Sequence, residues 1–505
     1  MTDTSSSTAT GAVPVPNAAS LGTAPSTEAE ARIASRNRLV IGLLLVSAFV
    51  VILNETVLGV AQTRLEHDLG VPYSLIQWLT TGFMLTMAVV IPITGFLLER
   101  FTTRGVFITA MSLFSLGTLI CALAPGFEVL LAGRIVQATG TAIMMPLLMT
   151  TVMNLVPPSA RGRTMGNISI VISVAPALGP TISGLILNVL EWRWLFLLVL
   201  PIAIGALVLG AARIENVTEP RKVPVDSLSV VLSALGFGGL IFGLSSLGEA
   251  ARGAATVPLW IPIGVGIAAL VLFVLRQRRL QRSDRALLDL RTFLSPVFSV
   301  STIMLVISMI ALFGMVVVLP IYTQEVLGLD TLTTGLLLLP GGLLMGVMAP
   351  FVGRFYDRFG PAPLVVPGSI IVSGALWGTT LLGVDTPFLW VLVAHVALSI
   401  GLALLFTPLF TSALGSLRPS LYSHGSAIVG TVQQLAGAAG TALFISVMTA
   451  QSIALAGGGA PDVADTAGGI HMAFVCGAVI SLLAVVAAFF VRKPADMPEG
   501  MHAGH

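Results

Sequence analysis

Uninterrupted apolar runs of about twenty residues recur along almost the whole of this chain, and no other feature constrains its fold so strongly. A run of that length crosses the hydrocarbon core of a bilayer as an α-helix. Helices suit that setting because each backbone polar group finds its partner within its own segment. Spans are expected at roughly 39–61, 76–98, 105–123, 128–153, 164–188, 194–213, 228–247, 258–275, 297–322, 334–353, 364–382, 388–414, 425–450 and 470–491, fourteen in all. At about 20 residues each they would use about 280 of the 505 residues. Only 10% of the residues are charged and the mean hydropathy is +0.98, whereas a soluble domain carries about 25% charged residues. A water-soluble enzyme is therefore excluded, and an all-α membrane protein is expected.

Charge placement tests the count. With both termini on the cytoplasmic side, 21 of the 25 basic residues fall in inner segments. Arg64, Arg193 and Arg252 fall outside, and Arg134 lies within a span. Such an excess follows the positive-inside rule, and a wrong number of helices would have inverted it partway along. The densest basic run, Arg276, Arg278, Arg279, Arg282 and Arg285, reads as a cytoplasmic anchor, with a specific anionic-lipid site as the sharper alternative. Residues 1–36 are rich in Ser, Thr, Ala and Pro and read as a disordered cytoplasmic tail without signal-peptide character; residues 494–505 read as a second tail, and His502 and His505 within it are given no metal. Asn216-Val217-Thr218 matches a glycosylation acceptor, but on this topology it faces the cytoplasm and is a chance match. Only two lysines exist, Lys222 and Lys493, and neither follows a glycine-rich loop. A phosphate-cradling G-x-x-x-x-G-K-[ST] loop is thus absent, and with it nucleotide-driven pumping by this chain. Cys121 and Cys476 lie far apart in apolar segments and read as small hydrophobes.

An internal repeat follows. Pro92, Gly95, Glu99, Arg100 and Phe101 recur as Pro350, Gly353, Asp357, Arg358 and Phe359, each pair 258 residues apart, and Leu69-Gly70 maps onto Leu327-Gly328 at the same offset. Each copy closes an even-numbered span at the inner face, so the repeat keeps its membrane orientation. Parallel six-helix repeats are a known transporter architecture. The chain then divides into an N-terminal six-helix bundle at 37–214, two linker helices at 215–290 and a C-terminal six-helix bundle at 291–493.

Individual residues sharpen this. Glu55 is the only acid deep inside an expected span, and an intramembrane carboxylate points to function: burial disfavours its charged form while a nearby cation favours it. Arg134 inside the fourth span costs about 2.5–3.5 kcal/mol on insertion scales, so it faces a cavity or a partner, or else snorkels outward. Pairing of Glu55 with Arg134 is the plain structural alternative. Met84, Met87, Met144, Met145 and Met149 suit either an adaptable apolar cavity or ordinary packing, and Gln433 and Gln434 either a cavity wall or hydrogen bonds between helices. His395 reads as a hydrogen-bonding residue within the bundle.

The motifs together resemble the major facilitator superfamily, in its fourteen-helix drug:proton antiporter branch, over about residues 38–493. Gly95, Leu97, Glu99, Arg100, Thr103 and Arg104 are similar to the loop 2–3 signature G-x-L-a-D-R-x-G-R-[KR], with Glu99 for the Asp and Thr102 for the second Gly. Arg134, Gln137 and Gly140 resemble R-x-x-q-G-x-g, with Ala138 for its first Gly. Ala175 to Gly184 resemble the antiporter signature g-x-x-x-G-P-x-x-G-G through Gly179, Pro180 and Gly184, with Ala175 and Ser183 as small replacements. Trp192-Arg193-Trp194-Leu195-Phe196 and Pro201 match the W-R-W-x-F segment of the branch and equally fit an interfacial aromatic belt. Leu53-Asn54-Glu55-Thr56-Val57 stands where the branch shows L-D-x-T-V, and Leu-Asn-Glu-Thr looks like the lincomycin-resistance type. Trp78 and Phe83 match W-x-x-x-x-Y with Phe for Tyr.

The resemblance implies the major facilitator fold, fourteen helices as 6+2+6, working as a proton-coupled exporter of lipophilic drugs or antibiotics. It implies Glu55 and Arg134 in proton coupling, and Asn54, Trp78, Phe83, Gln137 and Gln433 around the substrate cavity. Gly95, Glu99, Arg100, Arg104, Gly353, Asp357 and Arg358 would form a cytoplasmic gate, and Gly179, Pro180 and Gly184 a helix seal that favours export. Lipophilic substrate, protons and membrane lipids are the expected partners of a monomer, with no cofactor, nucleotide or nucleic acid. A dedicated exporter of one metabolite, such as a self-made antibiotic or siderophore, an uptake symporter and a non-transporting membrane sensor stay open at this point.

Overall fold

The computed structural model describes residues 27–216, 220, 224, 226–247, 257–457 and 459–493. Most of the expected N-terminal tail, the tail at 494–505 with its histidines, Lys222, Arg252 and two residues of the Asn216-Val217-Thr218 match lie outside the described residues. The chain forms two compact units, Met1–Leu39 and Val40–His505. Where the first is described it is helical from Thr27, which corrects the expected tail over 27–36. Glu28, Ala29, Glu30, Ala31 and Arg32 are strong helix formers and outweigh the polar composition there.

All fourteen expected spans are present and are long and apolar enough to cross a membrane. They are α1 Thr27–Leu69, α2 Trp78–Arg100, α3 Thr103–Ala122, α4 Phe127–Leu155, α5 Arg161–Val189, α6 Val199–Arg213 (whose span Trp194–Arg213 also takes in the short helix Trp194–Leu197), α7 Ser227–Ser245, α8 Trp260–Leu280, α9 Pro296–Ile321, α10 Thr331–Phe359, α11 Ala362–Thr379, α12 Phe388–Gly415, α13 Tyr422–Leu455 and α14 Val463–Ala488. Among the described residues there is no strand. Polar residues stop the helices where the apolar runs end. Thr102, Asp226, Ser295, Asp330 and Asp462 each accept a backbone N–H at a helix start, satisfying donors that the helix itself leaves free.

The repeat seen in the sequence returns in the backbone. Gly70 and Gly328, 258 positions apart, both take a positive φ, at 63° and 67°. Glycine enters that left-handed region without the Cβ penalty of other residues, so the same turn follows the first helix of each half. Pro92 and Pro350 lie inside α2 and α10 at matching positions. A short 3₁₀ turn at Pro158–Ala160 precedes α5, and another at Pro419–Leu421 precedes α13. The arrangement is consistent with six helices, an inserted pair and six helices.

The pair α7 and α8 pack through glycine. A Cβ on Gly239 would lie 2.9 Å from the Pro262 carbonyl oxygen, and one on Gly266 would lie 2.8 Å from the Leu240 nitrogen. Small residues let helix backbones approach in this way. Arg276, expected as part of the basic anchor, instead donates from Nε and Nη2 to both oxygens of Asp226 at 2.6 Å. Gln277 donates to Ser229 Oγ and accepts from the Leu287 amide, both at 2.7 Å. The start of α7, the end of α8 and the segment leading to α9 are thereby tied together.

Candidate functional site

Two arrangements stand out, one inside the first six helices and one between them and the last six. The first centres on Arg134 of α4, which is 1% exposed; full burial excludes snorkelling. Its guanidinium lies 4.0 Å from the centre of the Phe83 ring on α2, a cation–π contact strengthened by the absence of water. Nη1 donates to Gln137 Oε1 at 2.6 Å and to Asn54 Oδ1 of α1 at 3.4 Å. Gln137 in turn donates from Nε2 to Thr118 Oγ1 of α3 at 2.7 Å. This last bond needs α3 and α4 very close. Gly117 and Gly140 permit it, since a Cβ on either would come within 2.4 Å of the facing backbone.

Glu55 is not the partner of Arg134. It makes no ion pair with the arginine and is half-buried one position beyond Asn54. Successive residues of a helix with 3.6 residues per turn point about 100° apart, so Asn54 and Glu55 cannot face the same guanidinium equally. Thr56, the next residue, faces α5. A Cβ on Gly179 would lie 2.2 Å from Thr56 Oγ1, so the antiporter-like segment packs directly against the helix turn that carries Glu55. Pro180 beside it is exposed. Gly184 departs from the expectation of close packing: a Cβ there would meet nothing within 4 Å.

The expected cavity residues therefore separate. Asn54, Phe83 and Gln137 join Arg134 in one buried cluster. Trp78 stands apart from it: it is 38% exposed and its ring centre lies 5.9 Å from that of Phe242 on α7, so it contacts the linker pair. Gln433 is half-buried on α13, and its neighbour Gln434 reaches Met87 Sδ on α2 at 3.7 Å. Met144 and Met149 belong to the packed core. His395 Nε2 lies 3.0 Å from the Leu338 carbonyl oxygen, a bond within the C-terminal bundle. Trp192 is buried while Trp194 is exposed, and Arg193 donates to the Ala124 carbonyl at 2.9 Å. Only part of that segment is thus free to form an aromatic belt.

The second arrangement lies at the end of the bundle that carries Arg100, Arg104, Arg161, Arg163, Arg354 and Arg358, the basic end. There α5 meets α10 and α2 meets α13. Asp357, near the end of α10, accepts the backbone N–H of Gly162 at 2.7 Å and of Arg163 at 2.8 Å, capping the first turn of α5 across the interface. An acid at a helix N-terminus also meets the positive end of its dipole. Backbones touch there: a Cβ on Gly353 would lie 2.2 Å from the Gly162 carbonyl oxygen. The mirror contact places Glu99, near the end of α2, against the first turn of α13. Glu99 Oε1 accepts from Ser423 Oγ at 3.2 Å and lies 3.1 Å from His424 Nε2, while Gly95 lies against Ala427 and His424. Arg161 donates to Tyr422 Oη at 3.1 Å, and Thr150 to Ser426 Oγ at 3.1 Å. Arg100 and Arg358 lie over the Phe101 and Phe359 rings, and the Arg104 amide bonds Asn216. Of the expected gate residues, Gly95, Glu99, Gly353 and Asp357 make cross-half contacts.

These contacts continue inward as far as Gly342, where a Cβ would lie 2.4 Å from Ala177. Toward the other end, Gly184 on α5 and Gly335 on α10 face open space. Sequence reasoning missed Thr118, Asp226, Ser423 and His424. The 258-residue repeat gave no signal for His424, since it sets Arg163 against Leu421; only the helix starts at Arg161 and Tyr422 bring Arg163 level with His424.

A family model described as Major Facilitator Superfamily matches residues 44–441. The lincomycin resistance protein LmrB of Listeria monocytogenes is 43% identical over 459 residues, covering 90% of this chain and 96% of that protein. LmrB of Bacillus subtilis is 39% identical over 456 residues, with 89% and 95% covered. A multidrug resistance protein B homolog of Mycobacterium tuberculosis is 31% identical over 425 residues, with 82% and 78% covered. Among solved structures, the proton:xylose symporter XylE superposes with a TM-score of 0.62 at 14% identity, covering 91% of this chain and 97% of that chain. The human organic anion transporter MFSD10 does so with a TM-score of 0.64 at 15% identity, covering 90% and 99%. At such identities these two speak for the fold alone.

Proposed function

The chain belongs to the major facilitator superfamily, and on that premise we propose that it exports lipophilic drugs or antibiotics across the cytoplasmic membrane in exchange for protons. Relatedness over nearly the full length to proteins named for lincomycin and multidrug resistance supports the substrate class. The observation that carries the mechanism is the paired contact at the basic end. Two equivalent acids, Glu99 and Asp357, each close on the opposite half, while α5 and α10 part toward the other end. We assign the basic end to the cytoplasm, with both termini there, so this conformation is closed inward. Opening inward would require the bundles 37–214 and 291–493 to rock apart at that end, with 215–290 as an inserted pair, in an alternating-access cycle. The monomer, in contact with membrane lipids, would suffice for this motion.

Glu55 is the coupling residue in this reading, with Arg134 as the fixed charge that biases it. A charge moved across a membrane potential of ~100 mV is worth ~2.3 kcal/mol, and ~1.4 kcal/mol is tenfold in an equilibrium. One net charge per cycle then sustains roughly a 50-fold gradient, and no nucleotide is needed. Proteoliposomes loaded with drug test this. Drug-induced proton release is measured for wild type and Glu55→Gln at equal protein density. Loss of exchange in the Gln variant, with partial function in Glu55→Asp, is expected; exchange at the wild-type ratio would assign Glu55 a structural role.

A further inference from the structure

The two cross-half clamps at the basic end occupy equivalent places but differ in chemistry. At one, Asp357 is held by the backbone amides of Gly162 and Arg163. Those donors do not titrate. At the other, the equivalent acid Glu99 is held by the Ser423 hydroxyl and the His424 ring. We infer that His424 and Glu99 form a proton-operated latch: a proton taken up by His424 from the basic face locks α13 to α2, and its loss loosens that clamp alone.

The geometry supports this beyond the single 3.1 Å contact. Glu99 and His424 are both well buried, with side chains 16% and 7% exposed, so little water competes for the pair. Nδ1 of His424 is buried without a hydrogen-bond partner. A cavity of about 720 Å³ nevertheless reaches both residues, lined also by Asp284, Asp289, Arg291 and Arg418. It provides a route by which protons can enter and leave. The other charges around it are largely committed. Asp284 and Asp289 both accept from Arg291, Arg161 is engaged with Tyr422, and Arg100 lies over the Phe96 and Phe101 rings. Arg418 is exposed and opposes, through water, a second cation at His424. Glu99 is the acid in contact with the imidazole. Histidine is the side chain whose ordinary titration falls nearest physiological pH. A protonated ring adds a full ion pair to the hydrogen bond it donates to the carboxylate, and burial leaves that attraction little screened. Acidification at the basic face therefore holds the gate shut, and alkalinisation favours opening.

This inference rests on the reading that the basic end opens during transport, and the test separates the two. Spin labels are placed at Ser159→Cys and Ser420→Cys, exposed residues in the turns before α5 and α13 on opposite halves, with Cys121 and Cys476 replaced by Ala. Their distance distribution is measured in nanodiscs between pH 5.5 and 8.5, chosen as about one unit or more either side of an ordinary histidine. Wild type is expected to show a short-distance population that shrinks as pH rises. His424→Gln should remove the pH dependence, and His424→Lys, which keeps a cation, should hold the short distance across the range. Asp357→Asn should lengthen the distance at every pH while keeping the pH dependence. Undiminished pH dependence in His424→Gln, or its loss in Asp357→Asn, would overturn the latch. A distance that stays short in Glu99→Gln and Asp357→Asn alike would instead overturn the moving gate, and with it the export reading.

Discussion

A buried guanidinium whose hydrogen-bond partners are both neutral leaves a charge that its immediate neighbours do not cancel. Arg134 is in that position, held by Asn54, Gln137 and the Phe83 ring. A carboxylate on the next residue of α1 is a group whose protonation such a charge can influence. On the coupling role proposed for Glu55, the shift from Asp to Asn54 with Glu55 following has a spatial meaning: the amide holds the arginine and leaves the acid beside it for the proton. The neighbouring turn fixes how precisely α1 is placed. At Gly179 an added Cβ would need the Thr56 side chain and backbone to move, whereas at Gly184 it would meet nothing. Gly179→Ala is therefore expected to cut drug resistance at normal membrane abundance, and Gly184→Ala to leave it within about twofold. Equal resistance in the two, measured in an efflux-deficient host with abundance checked by blotting, would reduce the segment to ordinary packing.

Helix ends carry the second level of organisation. Glycine contrasts predict which clamp tolerates crowding. At Gly353 the facing atom is the Gly162 backbone at 2.2 Å, while at Gly95 the facing atoms are side chains at 3.3 Å. Gly353→Ala should keep α5 and α10 apart and expose the basic end to a membrane-impermeant thiol reagent, applied from that side, at a buried probe cysteine such as Ser426→Cys; Gly95→Ala should do so far less. The linker pair makes a different prediction. The Arg276 hydrogen bonds hold the Asp226 carboxyl down at about 2, below its unfolded value. A depressed carboxylate adds stability that is fully present above the unfolded pKa and is lost as pH falls through the folded one. The tie between α7 and α8 is then expected to weaken from about pH 4 down to about pH 2. Thermal unfolding in detergent should show a steeper acid loss for wild type than for Asp226→Asn, which begins less stable at neutral pH.

At the scale of the whole molecule, the proposed transport cycle turns on the basic end. Glu99→Lys places a cation against His424 and the start of α13, where the helix dipole also disfavours it. The population is expected to move toward the basic-end-open form, with transport slowed and membrane insertion retained. Unchanged thiol accessibility of the inner cavity in that variant would count against a gate there. What the sequence alone determined is the part governed by local chemistry and by the bilayer. Helix number follows from the length of apolar runs, and the duplication from the 258-residue offset that links Gly70 to Gly328. Burial of Arg134 was legible as a cost that demands a partner; which partner was not, because Asn54 and Glu55 are adjacent in sequence and differ only in direction around α1. His424 carried no local signal at all. Its meaning arises only when α13 packs on α2, because a pairing between residues 325 positions apart is set by how two bundles meet, and no local pattern records that.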